Sequence, residues 1–427
     1  DSIGYANVNS GDEPHYMTII SSVINDGDLD IKNNYASTHS GGLDSGVRAQ
    51  RTHLDHHTYF RLSEEGYTVW PSVIETNEQG RMLWWQNSDG YFFNYKPGYE
   101  HIADLPEYSW HPPFVAVIGY PLLWWFKNSP LLEPAALFLS YLVTLLAAVF
   151  AYWVLGSITQ SVTVRFTALV IIFLATPVWH YSRTLFTEPF IAAFFICAYA
   201  CFCRGTSIGS KHLAASLFIG LAMLMKPFAF IVMLPMFYSV LRNMDWRGFM
   251  ALCVGPALGG CVVLYWYYLQ SGSPFISPGA GHIALQADAL FTLSAVLPTI
   301  YGMLFSMQYG LLPYCPALIP AAYGWWRLLQ EHGRQAGVAL LMALPYFALF
   351  TAYIGTLGGA NYGPRYMMVL LPLLMVGIVG FLVYARLPRI LHLGMWVLLV
   401  ASFLINASAA VASWKFWYVH PVQVLLL

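Results

Sequence analysis

The sequence contains little charge. Only 10% of its 427 residues are Asp, Glu, Lys or Arg, whereas a soluble globular domain carries about 25%. Hydrophobic residues make up 58% of the chain, and the mean hydropathy is +0.55. No basic patch is present that could neutralise several phosphates, which excludes nucleic acid as a partner. These deficits indicate a protein that lies mostly in a membrane.

The few charges are unevenly distributed. Positions 1–110 hold 16 of the 21 acidic residues but only 6 of the 20 basic ones. We therefore predict two domains, a polar exoplasmic loop module over 1–130 and a transmembrane helical bundle over 131–427. All six cysteines lie in apolar segments, so disulfides do not hold the polar module together. The chain begins with Asp, and we expect a first transmembrane helix to precede it.

Long apolar runs predict the fold class, an all-α polytopic membrane protein with about ten or more spans. The runs lie at approximately 134–156, 162–178, 187–203, 211–225, 228–241, 248–269, 298–326, 336–357, 367–385 and 390–412, and prolines are expected to break the run at 298–326. Threading them places Arg204, Lys211, Arg242, Arg247, Arg327, Arg334, Arg386 and Arg389 on one side. The positive-inside rule then assigns the acidic module to the exoplasmic side.

The polar module is predicted to contain two interfacial helices and a β-hairpin. Apolar positions cluster on one helical face over 15–25, which is too short to span a bilayer. A second apolar stretch, 114–126, ends near paired tryptophans that suit the membrane interface. Residues 82–95 alternate around Asn-Ser-Asp-Gly and predict an aromatic hairpin, which could act as a lid or stack on a sugar. The histidines of 53–57 match no metal-site template.

Two adjacent carboxylates, Asp12 and Glu13, begin the first predicted helix. One interpretation is a helix N-cap followed by an acidic first turn. The other is a catalytic pair, in which Asp12 is the general base for an acceptor hydroxyl. His15 and Tyr16 follow directly and are candidates for the substrate site. His111, before two prolines, is either a turn residue or part of an acceptor site.

Few charges remain on the predicted outer membrane face: Arg183, Glu188, Lys226 and Arg365. Ionisable groups at membrane depth are costly, and most serve a function. Three converging cations would bind a phosphate, and a helix beginning after Gly363-Pro364 would add favourable potential at Arg365. In the alternative interpretation, Arg183 pairs with Glu188 and the other cations extend to lipid headgroups.

The motif at 11–16, Gly-Asp-Glu-Pro-His-Tyr, resembles the opening of the first exoplasmic loop in GT-C glycosyltransferases. The nearest group is family 39 and the aminoarabinose-transferase-like enzymes, which include protein O-mannosyltransferases. The stretches at 111–113, 183–189, 309–316 and 363–366 look similar as well, as does Lys226-Pro227, so the likeness covers about 11–372. Ser306 departs from the pattern, because some relatives carry an acid there.

The resemblance implies an inverting glycosyltransferase that uses a polyprenyl-phosphate sugar. We expect an enzyme of the bacterial inner membrane that acts on the periplasmic face, with Glu188, Tyr309 and Tyr366 as further substrate-site candidates. The acceptor would be a hydroxyl of an envelope glycan, lipid or protein. We expect no cofactor and no metal, because one adjacent acid pair does not make a metal cage. The alternative functions are a lipid-linked saccharide transporter or flippase, which would bind the same headgroup, and a non-catalytic sugar-sensing scaffold.

Overall fold

The chain divides into two compact units. A computed structural model describes residues 12–36, 49–50, 58–62, 66–69, 85–86, 92–93, 98, 105–204, 208–275, 296–352 and 362–411. Unit 1 comprises Asp1–Leu139 and Val262–Ala287, and unit 2 comprises Ser140–Cys261 and Asp288–Leu427. The domain boundary predicted at 130/131 stays a prediction.

Unit 1 begins with helix α1, Glu13–Ser21, which continues as a π-helical turn over Ser22–Asp26. Gly27 ends it in the left-handed conformation (φ +83°) that favours glycine. All nine residues of α1 are buried. The described α1 therefore has no exposed polar face, and its position in the membrane interface stays a prediction. The spacing of 3.6 residues identified the apolar positions of α1, but the polar side chains between them are buried as well.

The strands of unit 1 are short. They are β1 (Tyr35–Ala36), β2 (Ala49–Gln50), β3 (Thr58–Leu62), β4 (Gly66–Val69), β5 (Trp85–Gln86), β6 (Phe92–Phe93) and β7 (Glu107–Ser109). A three-stranded antiparallel sheet has the order β4-β3-β7. β5 and β6 also pair antiparallel, with Trp85 opposite Phe93, where the sequence predicts a hairpin. Its turn, and the histidines of 53–57, lie outside the described residues.

The second predicted interfacial segment forms helix α2, Phe114–Leu123, followed by a 3-10 turn over Trp124–Phe126. Its two faces differ in burial. Val115 is 1% exposed, whereas Trp125 is 81% exposed. A helix with a buried face and an exposed aromatic face is typical of one that lies in the interface of a membrane.

The remaining described helices form an apolar set. They are α3 (Leu132–Leu155), α4 (Val162–Leu174), α5 (Val178–Tyr181), α6 (Glu188–Arg204), α7 (Ile208–Met225), α8 (Leu234–Arg242), α9 (Trp246–Ser271), α10 (Val296–Phe305), α11 (Leu311–Tyr314), α12 (Leu318–Ala352), α13 (Arg365–Met368), α14 (Leu371–Leu374), α15 (Gly377–Tyr384) and α16 (Arg389–Val411). A 3-10 helix over Pro227–Met233 joins α7 to α8. α12 is kinked at Gly333.

Three described helices, α3, α9 and α16, are long and apolar enough to cross a membrane. Shorter apolar helices lie at the other predicted spans, except that α6 is not among them. The span count of ten therefore stays a prediction. Two of the predicted spans are not single helices. The stretch 298–326 is broken, as expected, and the stretch 367–385 is divided among α13, α14 and α15. The chain is a helical membrane protein.

Glycines allow close helix contacts within unit 2. A Cβ added to Gly255 on α9 would collide with the backbone of Ser216 on α7, and one added to Gly324 on α12 would collide with Gly377 on α15. Small residues at such crossings are typical of membrane helices, because backbones must approach closely where lipid offers no hydrophobic drive. These crossings fix the helices that carry the candidate site.

Candidate functional site

Unit 2 contains a buried ion cluster of Glu188, Lys226 and Arg365, called the basic cluster below. Lys226 Nζ donates to Glu188 Oε1 at 2.7 Å, and Arg365 Nε donates to the same oxygen at 3.0 Å. The side chains of Glu188, Arg365 and Lys226 are 0%, 5% and 17% exposed. Two cations therefore share one carboxylate oxygen in a site from which water is largely excluded.

The α6–α7 pair explains how two of these residues meet. Glu188 is the first residue of α6, and Lys226 directly follows α7. The two helices pack against each other and have 17 and 18 residues, so the end of α7 returns to the beginning of α6. Arg204 ends α6 and Lys211 lies in the first turn of α7. The basic cluster therefore lies at the opposite end of this pair from the Arg204–Lys211 end.

Arg365 reaches the cluster from a turn. Gly363 has φ +57°, and a Cβ there would lie 2.6 Å from Cδ1 of Tyr314. The Tyr181 hydroxyl donates to the carbonyl of Tyr362 at 2.7 Å. Arg365 is the first residue of α13, as predicted, but α13 has only four residues, so the favourable potential expected of a helix N-terminus stays a prediction. These contacts hold the turn from which the Arg365 side chain extends to Glu188.

Aromatic rings enclose both cations. Arg365 Cζ lies 4.1 Å from the ring centroid of Phe186, and Lys226 Nζ lies 4.4 Å from that of Tyr366. Tyr366 in turn stacks on Phe350, with 5.0 Å between centroids. Cation–π contacts are stronger where water is excluded, so the rings hold the cations without neutralising them.

The charges of the basic cluster do not balance. Among the described ion pairs, one carboxylate contacts two basic side chains, which leaves one basic group in excess. The hydroxyls buried in unit 2 include those of Thr187 and Tyr346, and neither of these two makes a hydrogen bond among the described residues. Tyr346 interacts electrostatically with Glu188 and Arg365. An anion with several oxygens could use both the excess charge and the spare donors.

Arg183 lies elsewhere. Its guanidinium donates to the carbonyl oxygens of Ala409, at 3.3 Å, and of Ala410. These carbonyls belong to the last turn of α16, where cations satisfy the free acceptors of a helix end. Both ion pairs that the structure describes for Glu188 go to other residues. The described contacts thus bring together two of the three predicted cations, and they do not include the alternative Arg183–Glu188 pair.

In unit 1, α1 begins at the predicted acidic pair. Asp12 occupies the N-cap position, but its backbone is helical and its side chain makes no capping hydrogen bond. Its carbonyl accepts from Tyr16 N at 3.1 Å. Asp12 is half-buried, whereas Glu13 is 1% exposed. Capping therefore does not account for the Asp12 carboxylate.

Three aromatic candidates meet beside this pair. The rings of His15 and His111 stack with 5.1 Å between centroids, and Tyr16 lies 4.8 Å from His111. His15 and Tyr16 are 2% and 3% exposed. The structure thus brings His111 against α1, although it lies 95 positions after Tyr16 in the sequence. Tyr309 is half-buried in the turn before α11, and among the described residues no contact joins it to the basic cluster.

Sequence reasoning missed a polar network behind Arg365. Asn406 on α16 donates to the carbonyl oxygens of Tyr314, at 2.9 Å, and Ser402, at 2.8 Å. The Tyr362 hydroxyl lies 3.4 Å from Asn406 Oδ1. Asn406 is not among the residues predicted from the sequence. The available signal was a polar residue at membrane depth, which needs a buried partner.

The chain is similar to solved structures of membrane glycosyltransferases. No family model and no curated protein matches it. ArnT from Cupriavidus metallidurans, bound to undecaprenyl phosphate, is 19% identical with a TM-score of 0.47, covering 70% of this chain and 53% of that one. The same enzyme in the apo state is 19% identical with a TM-score of 0.46, and the match covers 67% of this chain and 51% of that one. The oligosaccharyltransferase AglB from Archaeoglobus fulgidus, in complex with an inhibitory peptide and a dolichol-phosphate, is 14% identical with a TM-score of 0.46, covering 72% and 49%.

The chain spans about half the length of these solved structures. ArnT and AglB both belong to the GT-C superfamily of glycosyltransferases, the superfamily that the sequence motifs resemble.

Proposed function

We propose that this protein is a glycosyltransferase that uses a polyprenyl-phosphate sugar as donor. The observation that carries the proposal is the basic cluster, in which two cations share one buried carboxylate oxygen. Desolvated charge in excess is costly unless an anion joins it. A lipid phosphate supplies that anion, and its tail suits the apolar helices around the site.

The charge of the basic cluster fits the chemistry of transfer. As the acceptor oxygen attacks the anomeric carbon, the bond from that carbon to the phosphate oxygen breaks, and the phosphate leaves with the electron pair. Lys226 and Arg365, already held in place, would stabilise this developing charge without reorganising. A single attack on one face of the sugar gives inversion.

We propose Asp12 as the general base that takes the proton from the acceptor hydroxyl. The supporting observation is that the Asp12 side chain is not used as a helix cap. The buried neighbour Glu13 would raise the proton affinity of the pair, because two close carboxylates resist double ionisation. His15, Tyr16 and His111 would line the acceptor side.

We propose a periplasmic active site in a bacterial inner membrane. The basic cluster lies at the end of the α6–α7 pair opposite Arg204 and Lys211, and an excess of such residues marks the cytoplasmic side. No nucleotide-sugar pool exists outside that membrane, which favours a lipid-linked donor. We propose no metal and no organic cofactor, since the adjacent acid pair supplies too few oxygens for a cation cage. The acceptor would be an envelope glycan, lipid or protein.

The test uses purified protein in liposomes with a panel of polyprenyl-phosphate sugars and a crude envelope acceptor fraction. Release of polyprenyl phosphate is followed for the wild type and for Asp12→Asn. We expect acceptor-dependent release that falls by at least about 100-fold in the variant, since loss of a general base costs about 10²–10⁴-fold. Asp28→Asn, on an exposed residue of the same segment, is the matched control.

Two results would contradict the proposal. Normal turnover in Asp12→Asn would remove the assigned base. No release from any donor, together with movement of the lipid between leaflets, would instead favour a lipid-linked saccharide flippase that uses the same cations.

A further inference from the structure

We propose that Glu188 is an internal counter-ion that competes with the lipid phosphate for Lys226 and Arg365 and so speeds release of the anionic product. The inference rests on the proposed function, because it needs a phosphate at the basic cluster. It assigns to Glu188 an electrostatic role, exerted through Lys226 and Arg365, and not a catalytic one.

The geometry gives the first step. Glu188 uses a single oxygen, Oε1, for both cations, at 2.7 Å and 3.0 Å. Phosphate oxygens bind Lys and Arg at the same donor–acceptor distances as carboxylate oxygens do. The Glu188 carboxylate therefore occupies the place between the two cations that one oxygen of a phosphate would take.

The second step concerns hydrogen-bond donors that do not bond to the Glu188 carboxylate. The hydroxyls of Thr187 and Tyr346 are buried and make no hydrogen bond within the described part of the chain. Thr187 directly precedes Glu188 in sequence, and Tyr346 interacts electrostatically with Glu188 and Arg365. A phosphate monoester has three terminal oxygens and could accept from these hydroxyls as well. These two hydroxyls are donors that the Glu188 carboxylate does not use, as expected of a site that Glu188 fills only in part.

The third step is the change in charge during the reaction. The donor is a phosphodiester with one negative charge, whereas the product is a monoester that carries about −1.5 to −2 at neutral pH. Two cations alone would therefore hold the product more tightly than the donor. A fixed carboxylate repels the product more strongly than the donor, because the repulsion grows with the charge of the ligand. Glu188 would thus reduce product inhibition and keep release from limiting turnover.

The experiment measures binding of polyprenyl phosphate to the protein in lipid nanodiscs, for the wild type and for Glu188→Gln, which keeps the shape and removes the charge. We expect the variant to bind the product at least about tenfold more tightly, because one buried like charge is removed from the site. Its first turnover should be followed by a slower steady state, seen as a burst of glycosylated acceptor, because polyprenyl phosphate then leaves slowly. Glu331→Gln, on an exposed residue that pairs with Arg327, is the matched charge-removal control.

The outcomes separate the two proposals. A wild-type protein that binds no polyprenyl phosphate would overturn the proposed function and the counter-ion role together. Wild-type binding with equal or weaker binding in Glu188→Gln would overturn the counter-ion role alone, since a residue that only holds the cations in place would lose affinity on substitution.

A second pair of variants covers the case in which Glu188→Gln does not fold. Lys226→Met leaves one cation per carboxylate, and we expect product binding to weaken at least about tenfold. In the double variant Lys226→Met/Glu188→Gln, one cation remains without a carboxylate, and we expect binding to recover relative to the single variant. Recovery supports competition by Glu188, and a further loss contradicts it.

Discussion

The α1 segment and the basic cluster carry opposite charge and are built in opposite ways. Asp12, Glu13, His15 and Tyr16 are near neighbours in sequence. In the basic cluster, by contrast, Lys226 and Arg365 lie 38 and 177 positions after Glu188 in the sequence. A contiguous motif can be recognised as a unit, whereas the cluster exists only because α6, α7 and the turn at Gly363 meet. The first region is therefore visible in the sequence and the second is a product of the fold.

The two regions also differ in what holds them. Helix α1 is buried on every side and its candidate base is not a cap, so the packing of this helix sets where the carboxylates lie. The basic cluster depends on ion pairs and cation–π contacts in a water-poor environment. We expect substitutions in the α1 segment to lower turnover and substitutions of the two cations of the cluster to lower donor affinity.

Arg365→Ala is the change with the largest expected effect on donor binding. It removes the more buried cation of the cluster and leaves Lys226 as the described ion-pair partner of Glu188. Loss of one member of a buried, hydrogen-bonded charge pair costs about 2–5 kcal/mol, so we expect donor affinity to fall at least about 30-fold. The measurement is binding of a polyprenyl-phosphate sugar in nanodiscs, with Arg389→Ala, at the exposed start of α16, as control.

The same assay with Asp12→Asn sharpens the contrast. Donor affinity is expected to stay within about threefold of the wild type, because a general base acts on the acceptor. If Asp12→Asn lost as much donor affinity as Arg365→Ala, the division of labour between the two regions would be wrong.

Gly363→Ala tests the turn that positions Arg365 and is expected to have an intermediate effect. Alanine at φ +57° is strained, and its Cβ would lie 2.6 Å from Tyr314 Cδ1. We expect a loss of about 1–3 kcal/mol in the free energy of unfolding and a fall in donor affinity, because the guanidinium is displaced. Thermal unfolding and donor binding are measured together.

Gly209→Ala is the control for that substitution. Gly209 lies in the first turn of α7, has an ordinary φ, and has no atom within 4 Å of an added Cβ. We expect a change within about 1 kcal/mol, in the stabilising direction, because alanine favours the helix. A Gly363→Ala variant as stable as Gly209→Ala would contradict the role assigned to the turn.

Much of the fold could be predicted because its signals are local. Apolar runs located the helices, and clustered prolines located the break at 298–326. The pairing of Trp85 with Phe93 follows from a turn sequence between aromatic runs. Local patterns do not encode burial, however, and α1 shows the consequence. Its apolar positions fit one helical face, yet Glu13 and His15 are as buried as Ile19.

The candidate site was only partly predictable because convergence is a tertiary property. Topology placed Lys226, Arg365 and Glu188 on one membrane face, but it could not show that one carboxylate oxygen joins both cations. It also could not show that Arg183 turns to the end of α16. Tyr181, Tyr314 and Tyr362, which lie at the turn before Arg365, were not predicted as site residues. Aromatic residues are common throughout this chain, and these three do not stand out by their spacing.

Asp30→Asn has the smallest expected effect and tests whether the α1 region depends on charge at all. Asp30 Oδ1 accepts from the backbone N–H of Lys32 at 3.1 Å and of Glu107 at 2.9 Å. Burial raises the pKa of this carboxyl above its ordinary 3.8, against the opposing effect of these two hydrogen bonds. The folded state therefore holds the proton more strongly than the unfolded state. The stability that the protonated Asp30 carboxyl contributes is therefore full below pH 3.8 and is lost as pH rises through the pKa of Asp30 in the folded state.

Asparagine keeps the acceptor oxygen and removes the titration. We expect the variant to change stability by less than about 1 kcal/mol at neutral pH and to lose the pH dependence just above pH 3.8. Amide hydrogen exchange of the backbone N–H groups of Lys32 and Glu107, compared between variant and wild type at each pH, is the measurement. An unchanged pH dependence in Asp30→Asn would assign the titration to another group. A large loss of protection at neutral pH would instead show that charge, and not packing, holds this region, which would reverse the comparison with the basic cluster.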